Sequence, residues 1–581
     1  MFRRDILKSL LAVAAAPVLD RVLPQALGVQ AAQAQPRSAR RFVDTHCHFF
    51  NAADIPIRGF LERVVFQDYP DTQIPSRSLQ PSLDLPIWRG LVSTLVDFLL
   101  KSGAPTPREE LQCLSRDAAC GDFSTLSPEV ASRSLQASDA AEAPAKSRDL
   151  SNALQERYER RQSRSLEPSA RSDQDDVDAF IDAVLDEMKA EGRIPPDTSS
   201  RSLQGSATAQ PGFFLDIASF LFGSTRFGRY FRWARLLTSY RSTIAQTYQA
   251  LYDPAQTRLI LATPVLVDYS YWLEDQSSAA LREQIEVMGR ISLRQRRPMH
   301  GFAPFDPLRE LRRKPDAPSA LSIAQEAVRD HGFIGVKLYS PMGFRPTGNA
   351  EGIGFPAFAH QLERDFGARL DDALNGLYTW CEAEDVPLLA HTMDSQAANE
   401  NFGARANPKF WLRVLESKPG LRLNLAHFGN FVFADTASAT AAQKFQNTWE
   451  YQIGTFVKDG RFKNVYADLS YLGWILGDGL QNPRRPQIKA LFSEYLAMFD
   501  PNAERLMFGT DWTMIARENN ADRYIDNLEA FFTEVGLNGA QLDNIFYKNA
   551  LRFLGLSETT KVSERLQRFY QANNKQMPAF S

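Results

Sequence analysis

The second half of the chain is written as an alternation. Short, nearly continuous apolar runs (Leu259–Val267, Met299–Ala303, Ile334–Tyr339, Pro387–His391, Leu421–His427, Val465–Leu469 and Arg505–Gly509) are separated by longer stretches such as Ile323–Asp330 and Leu370–Glu384, where apolar residues return every three or four positions. Strand-then-helix units repeated in this way predict a parallel sheet covered on both faces. One further apolar run, Phe42–His46, lies far upstream and brings the number of strands to eight, which closes a (β/α)8 barrel. The expected fold is therefore α/β, a TIM barrel with a large, partly helical and low-complexity insertion after its first strand. Its first strand falls in 35–50, the insertion in 51–257, the rest of the barrel in 258–556 and a helical tail in 557–581.

Within the insertion, residues from about 71 to 210 shift toward Ser, Arg, Gln, Asp, Ala and Pro and lack apolar runs long enough to nucleate a core. A phrase recurs there as Ser76-Arg77-Ser78-Leu79, Ser132-Arg133-Ser134-Leu135, Ser163-Arg164-Ser165-Leu166 and Ser200-Arg201-Ser202-Leu203. Its irregular spacing argues against a solenoid, which leaves a docking element or, favoured because no repeating fold surrounds it, a low-complexity expansion. Helical periodicity returns at Ile87–Lys101 and Asp175–Glu191. It returns again over 212–257, where an aromatic, arginine-rich segment (Phe227 to Arg235) reads as a packed lid or a membrane-surface helix leading into Ser239–Leu251. Cys113 and Cys120 are placed for a small-loop disulfide or stand as free thiols.

Residues 1–34 read as an address. Arg3-Arg4 precedes an Ala-rich apolar stretch (Leu10–Leu19) and a small-x-small site, Ala32-Gln33-Ala34, an order that resembles a twin-arginine export signal. The apolar stretch is about half the roughly 20 residues a membrane span requires, so no transmembrane helix is expected. The expected location is the periplasm or another exported site, reached through the twin-arginine machinery. With 581 residues, 44% hydrophobic, the chain can bury a sizeable core. A net charge of -3 supplies no basic surplus for nucleic acid, which is excluded as an expected partner. Four cysteines without a CxxC pair exclude a disulfide scaffold, a zinc ribbon and a redox motif.

The chemistry sits at the strand ends. In Phe42-Val43-Asp44-Thr45-His46-Cys47-His48, the two-residue period puts Asp44, His46 and His48 on one face, so two imidazoles offer a half-site for a divalent metal. Cys47 should point the other way. His391 and His427 close the runs at 387–391 and 421–427, and Asp511 follows the run at 505–509. Thus four of the seven histidines and one carboxylate fall at the C-terminal ends of strands, the rim where barrel enzymes build active sites. Such a donor set lowers the pKa of a bound water and polarises a substrate oxygen. Asp511 is then a ligand, a general base or both, and His427 a hydrogen-bond donor to the oxygen that gains charge.

This order of residues resembles the amidohydrolase superfamily, specifically its amidohydrolase-related branch of metal-dependent hydrolases and decarboxylases. Gly332–Pro341 and Asn544–Leu554 are similar to that branch's fourth strand and terminal helix. The resemblance implies that His46, His48, His391 and Asp511 form the shell of one metal, zinc with manganese or iron as alternatives, and that His427 acts beside it. It also raises a less favoured second metal bridged by carbamylated Lys337, a residue otherwise read as binding an anionic group. Phe49–Phe60 resembles a subgroup signature, in which Arg58 either clamps a substrate carboxylate or pins its own loop through Asp54. Arg345 and Trp512 are weaker candidates for substrate contact, from their positions in loops after strands. The expected activity is hydrolysis of an ester, lactone or amide by a metal-bound water, on a small-molecule substrate, by a chain that is a candidate homo-oligomer. The alternatives are non-oxidative decarboxylation of an aromatic or unsaturated acid, and a non-catalytic binding or scaffold barrel.

Overall fold

In the computed structural model, residues 38–60, 63–64, 104–116, 236–356, 365–394, 397–399, 401–431, 445–476, 484–518 and 520–580 are described. The strands are β1 (Phe42–Cys47), β2 (Leu259–Pro264), β3 (Phe302–Pro304), β4 (Gly335–Leu338), β5 (Leu388–His391), β6 (Leu423–Ala426), β7 (Val465–Asp468) and β8 (Leu506–Met507). Every pairing is parallel and joins neighbours in sequence: β1 with β2, and β3 through β8 in order. Parallel bridges Ala262–Met299 and Val265–Phe302 join β2 to β3. At the other seam the Cys47–Trp512 bridge, Thr45 N donating to Phe508 O (3.1 Å) and Asp511 N donating to His46 O (2.6 Å) carry the ring from β8 back to β1. The expected TIM-barrel order is therefore present. Each strand falls on or beside its apolar run but is mostly shorter, because tilted strands in a closed ring pair only where neighbours overlap.

The longer helices are α1 (Pro107–Ser115), α2 (Arg241–Tyr252), α3 (Leu281–Arg294), α4 (Ala320–Asp330), α5 (Phe366–Ala383), α6 (Trp449–Lys458), α7 (Arg485–Phe499), α8 (Tyr524–Val535) and α9 (Lys561–Ala572). Their starts follow capping rules: Ser319 caps α4 and Thr448 caps α6, each side chain accepting a backbone N–H three residues on. One face of each is apolar and buried, as Ile323, Ala324, Ala327 and Val328 are on α4.

Val43, Phe302, Leu389, Ala426, Tyr466 and Met507, one from each of six strands, share a buried cluster with Ala550, Leu551, Phe553 and Leu554 and with Val562 and Leu566 of α9. The C-terminal tail thus covers the barrel floor. Burying side chains of this size contributes about 1.5–3 kcal/mol each. His300, ahead of β3, is fully buried on this side, with Nδ1 at 2.8 Å from Gly332 O and Nε2 at 3.1 Å from Tyr570 OH of α9.

The described parts of the insertion are tied to the opposite end. Arg241, at the start of α2, is wholly buried; its Nε donates to Asp54 Oδ2 (2.7 Å) and one terminal nitrogen to Glu110 Oε2 of α1 (2.9 Å). Cys113 on α1 is disulfide-bonded. Cys120, the export-like segment 1–34, the Ser-Arg-Ser-Leu phrases, the patches at 87–101 and 175–191 and the aromatic segment to 235 lie outside the described residues. Among the described residues no helix is long and apolar enough to cross a membrane.

Candidate metal centre

His46 is the fifth residue of β1 and His48 lies just past its end, so strand alternation sends both imidazoles into the mouth. Asp511 follows β8, the neighbour of β1 across the seam, at a left-handed φ of 55°. The three converge: Asp511 Oδ1 lies 3.0 Å from His48 Nε2 and 3.7 Å from His46 Nε2. Their donor atoms all fall within 4.8 Å of one another, and all three residues are buried.

The outer nitrogens fix the tautomers. His48 Nδ1 is 2.8 Å from Val265 O, an acceptor, so it carries the proton and Nε2 presents a lone pair. His46 Nδ1 lies 3.3 Å from Asp468 Oδ2 and 3.1 Å from Ser470 Oγ, which likewise leaves Nε2 as an acceptor. Two lone pairs and a carboxylate oxygen therefore face one another, a set that fits a divalent cation. Burial first, then the charge of Lys337, pushes His46 down to about 3, and burial lowers His427 and His391 as well, which favours the neutral, ligating form of these three rings. Burial alone would raise Asp511; a proton on His48 Nε2, hydrogen-bonded to the carboxylate, and positive charge on the neighbouring histidines outweigh it and hold the carboxyl below its ordinary range, a place that a cation between the donor atoms would take over.

A second cluster adjoins the first. His46, His427 and Asp468 form another group with converging donor atoms. His427 Nδ1 is 2.9 Å from Ser470 Oγ, and its Nε2 is 3.1 Å from His391 Nδ1. Among the described residues His391 belongs to neither converging group; its ring lies 4.4 Å from that of Tyr339. The backbone at His427 is unusual: residues 427–431 all have φ between 48° and 69°. Each non-glycine residue there costs on the order of 1 kcal/mol or more, so outside contacts must hold the turn. Asp468 Oδ1 accepts His427 N (3.0 Å), Thr392 O accepts Gly429 N (3.0 Å) and Glu450 Oε1 accepts Phe431 N (2.6 Å). At Gly429 an added Cβ would come within 2.7 Å of Glu450 Oε1, so that position needs glycine for space as well as for φ.

Lys337 on β4 is buried with Nζ 3.4 Å from His46 Nε2, and burial lowers its ammonium to about 8. Arg58 sits half-buried on the short helix Ile57–Phe60, while the Asp54 carboxylate weighed as its partner takes Arg241. Arg345 is half-buried and lies over the Phe410 ring at 4.6 Å. Trp512 is fully buried, edge-on to Tyr248 and Tyr252. Cys47 is buried and free. The residues sequence reasoning missed are Asp468, Ser470 and Arg241. Asp468 ends β7, and the rule that picked out His391 and His427, polar residues closing an apolar strand, applies to it equally.

Residues 313–556 match the family model described as Amidohydrolase. That span holds β4 to β8 and bears out the resemblance to the amidohydrolase-related branch, whose members are metal-dependent hydrolases and decarboxylases. No curated protein matches the chain. Among solved structures, a Burkholderia multivorans amidohydrolase, also seen with bound zinc, has 17% identity over 56% of this chain and 91% of its own, at a TM-score of 0.36. A 2,6-dihydroxybenzoate decarboxylase bound to 2,6-dihydroxybenzoate has 17% identity over 60% and 96%, with a TM-score of 0.34. A putative 2-pyrone-4,6-dicarboxylic acid hydrolase from Pseudomonas putida has 15% identity over 54% and 88%, with a TM-score of 0.32.

Proposed function

We propose that the protein is a metal-dependent hydrolase that cleaves an ester, lactone or amide bond of a small molecule, with one zinc ion at His46, His48 and Asp511. The convergence of two unprotonated Nε2 atoms on Asp511 Oδ1 carries this reading. A divalent metal there would supply Lewis acidity, lowering the pKa of a water and polarising a substrate oxygen. Asp511, whose carboxyl is held below its ordinary range, would serve as the base for a water at this site. Lys337, with its ammonium close to the cluster, stabilises the oxygen that gains charge, together with His427. Asp468 and Ser470 orient His46 and His427 through their Nδ1 atoms.

The order of Arg3-Arg4, Leu10–Leu19 and Ala32-Gln33-Ala34 supports export of the folded, metal-loaded chain to the periplasm, where substrates arrive from outside. Cleavage near Gln35 in cells, lost when both arginines become lysine, is the expected sign of that route. The activity itself is tested by loading the full chain with zinc or manganese and following ester, lactone and amide cleavage beside CO2 release from aromatic acids. Cleavage that disappears on chelation and returns with metal supports hydrolysis. CO2 release without cleavage reassigns the protein as a decarboxylase.

A further inference from the structure

Asp44 lies two residues before His46 on β1, yet among the described residues its carboxylate belongs to neither group of converging donor atoms. It is wholly buried and taken up by other partners. Oδ1 accepts His46 N (3.1 Å) and Thr510 N (3.0 Å), and Oδ2 accepts Thr510 Oγ1 (2.6 Å) and Tyr248 OH (2.7 Å). A single oxygen thus holds the backbone of His46 on β1 and the backbone just ahead of Asp511 after β8. The ladder to β2 slips at the same place: Asp44 stands opposite Ala262 and Cys47 opposite Pro264, so the stretch containing His46 is not held by regular pairing. Thr510 Oγ1, which donates to Asp44, accepts Trp512 N (3.0 Å), so Asp511 is pinned from both sides at its left-handed φ. Tyr248 comes from α2, 204 residues from Asp44 in sequence, and its ring is fully buried against Phe49 and Trp512, which fixes where the hydroxyl points. A buried polar network with every member paired rigidifies the elements it joins.

We infer that Asp44 is a positioning residue that sets the spacing of His46 and Asp511, and that Tyr248, by donating to it, makes α2 of the insertion part of the metal centre. Asp44 acts through the backbones of His46 and Thr510 and is not itself a ligand. The inference rests on the reading of His46, His48 and Asp511 as metal ligands, not on the reaction assigned to them. A network that served the fold alone would support stability without altering how those three donors meet a metal.

The test titrates the full chain with zinc in competition with a chromogenic chelator, and with cobalt(II), whose visible absorption reports how the ligands are arranged. Tyr248→Phe keeps the ring and its packing and removes one hydrogen bond, so zinc affinity should fall about threefold. Asp44→Asn turns one acceptor into a donor facing other donors, and should cost about tenfold or more with a changed cobalt spectrum. If circular dichroism shows that Asp44→Asn does not fold, Thr510→Val, which removes the Oγ1 partner, takes its place, and Thr510→Ser should restore affinity. Tyr248→Phe and Asp44→Asn together should cost less than the product of the single losses, because they break the same contact. Unchanged zinc affinity and cobalt spectrum in folded Asp44→Asn or Thr510→Val overturn the assignment of Asp44. A loss there with none in Tyr248→Phe overturns the link to the insertion. An unaltered chain that takes up no metal sinks the metal centre and this inference with it, whereas metal binding that responds to the variants without cleavage of any ester, lactone or amide sinks the hydrolase reading alone.

Discussion

His48 Nε2 lies 3.0 Å from Asp511 Oδ1 because the first and last strands of the barrel are neighbours. The seam hydrogen bond from Asp511 N to His46 O (2.6 Å) places the carboxylate next to both imidazoles of β1, so closing the ring and assembling the donor set are one event. Metal should therefore stabilise the barrel as well as serve chemistry. At free metal about 100 times the dissociation constant, binding adds about 2.7 kcal/mol to the unfolding free energy. Chelation should lower the thermal midpoint of the full chain, readdition should restore it, and His46→Ala/His48→Ala should show neither response and lose the bound equivalent of metal. A midpoint indifferent to chelator in the unaltered protein would remove the metal centre.

Asp468 is expected to act through His46. Its Oδ2 lies 3.3 Å from His46 Nδ1, accepts Asn424 Nδ2 at 2.7 Å, and its Oδ1 accepts the backbone of His427 at 3.0 Å. Asp468→Asn replaces one of these acceptors with a donor, so His46 should lose its fixed tautomer. Metal affinity should fall about 10–100-fold, the usual cost of removing a carboxylate behind a ligating histidine. Competition with a chromogenic chelator measures it, and an unchanged affinity would leave Asp468 with a purely structural role at the 427–431 turn.

Much of this barrel is legible in the chain because its strands are buried on both faces and so appear as apolar runs. Leu423–Ala426 inside Leu421–His427 and Val465–Asp468 inside Val465–Leu469 are examples. The HxH pair is legible for the same reason, since alternation decides where His46 and His48 point. Other features are not local. Arg241 meets Asp54 and Glu110 across long separations in sequence, and nothing near Arg241 distinguishes it from a surface arginine. Trp512 reads as a loop residue after Asp511, yet α2, from a distant part of the chain, supplies Tyr248 and Tyr252 to bury it. The left-handed turn at His427 has one glycine to announce it and depends on Glu450 and Asp468 from other elements.

The Arg241 cluster should be a strong determinant of stability at the mouth. Its guanidinium is wholly buried between two carboxylates that are themselves buried, and removing it leaves both without their cation. Breaking a buried pair from one side costs about 3–5 kcal/mol, so Arg241→Leu should lower the urea midpoint by that equivalent. Asp54→Asn should cost less, because Glu110 still holds the guanidinium. Since Asp54 lies six residues past His48, the arginine variant should also weaken metal binding. A loss of stability under about 1 kcal/mol would show that the cluster is dispensable.

On the barrel floor, His300 should make stability depend on pH. Burial lowers it from 6.5 to about 4, and as a neutral ring it bridges Gly332 O and Tyr570 OH. Above about pH 6.5 the ring is neutral in both the folded and unfolded chains and contributes no pH dependence. As pH falls from about 6.5 to about 4, the unfolded chain takes up the proton and the folded chain does not, so stability drops with falling pH. Below about 4 both forms are protonated and the loss levels off, at about 3 kcal/mol for the full shift. His300→Gln should be less stable than the unaltered protein at pH 7.5 but should lose less on acidification to pH 4.5. Urea unfolding of both proteins at the two pH values gives the difference, which cancels the carboxylates common to both. Parallel losses would show that His300 is not the group responsible.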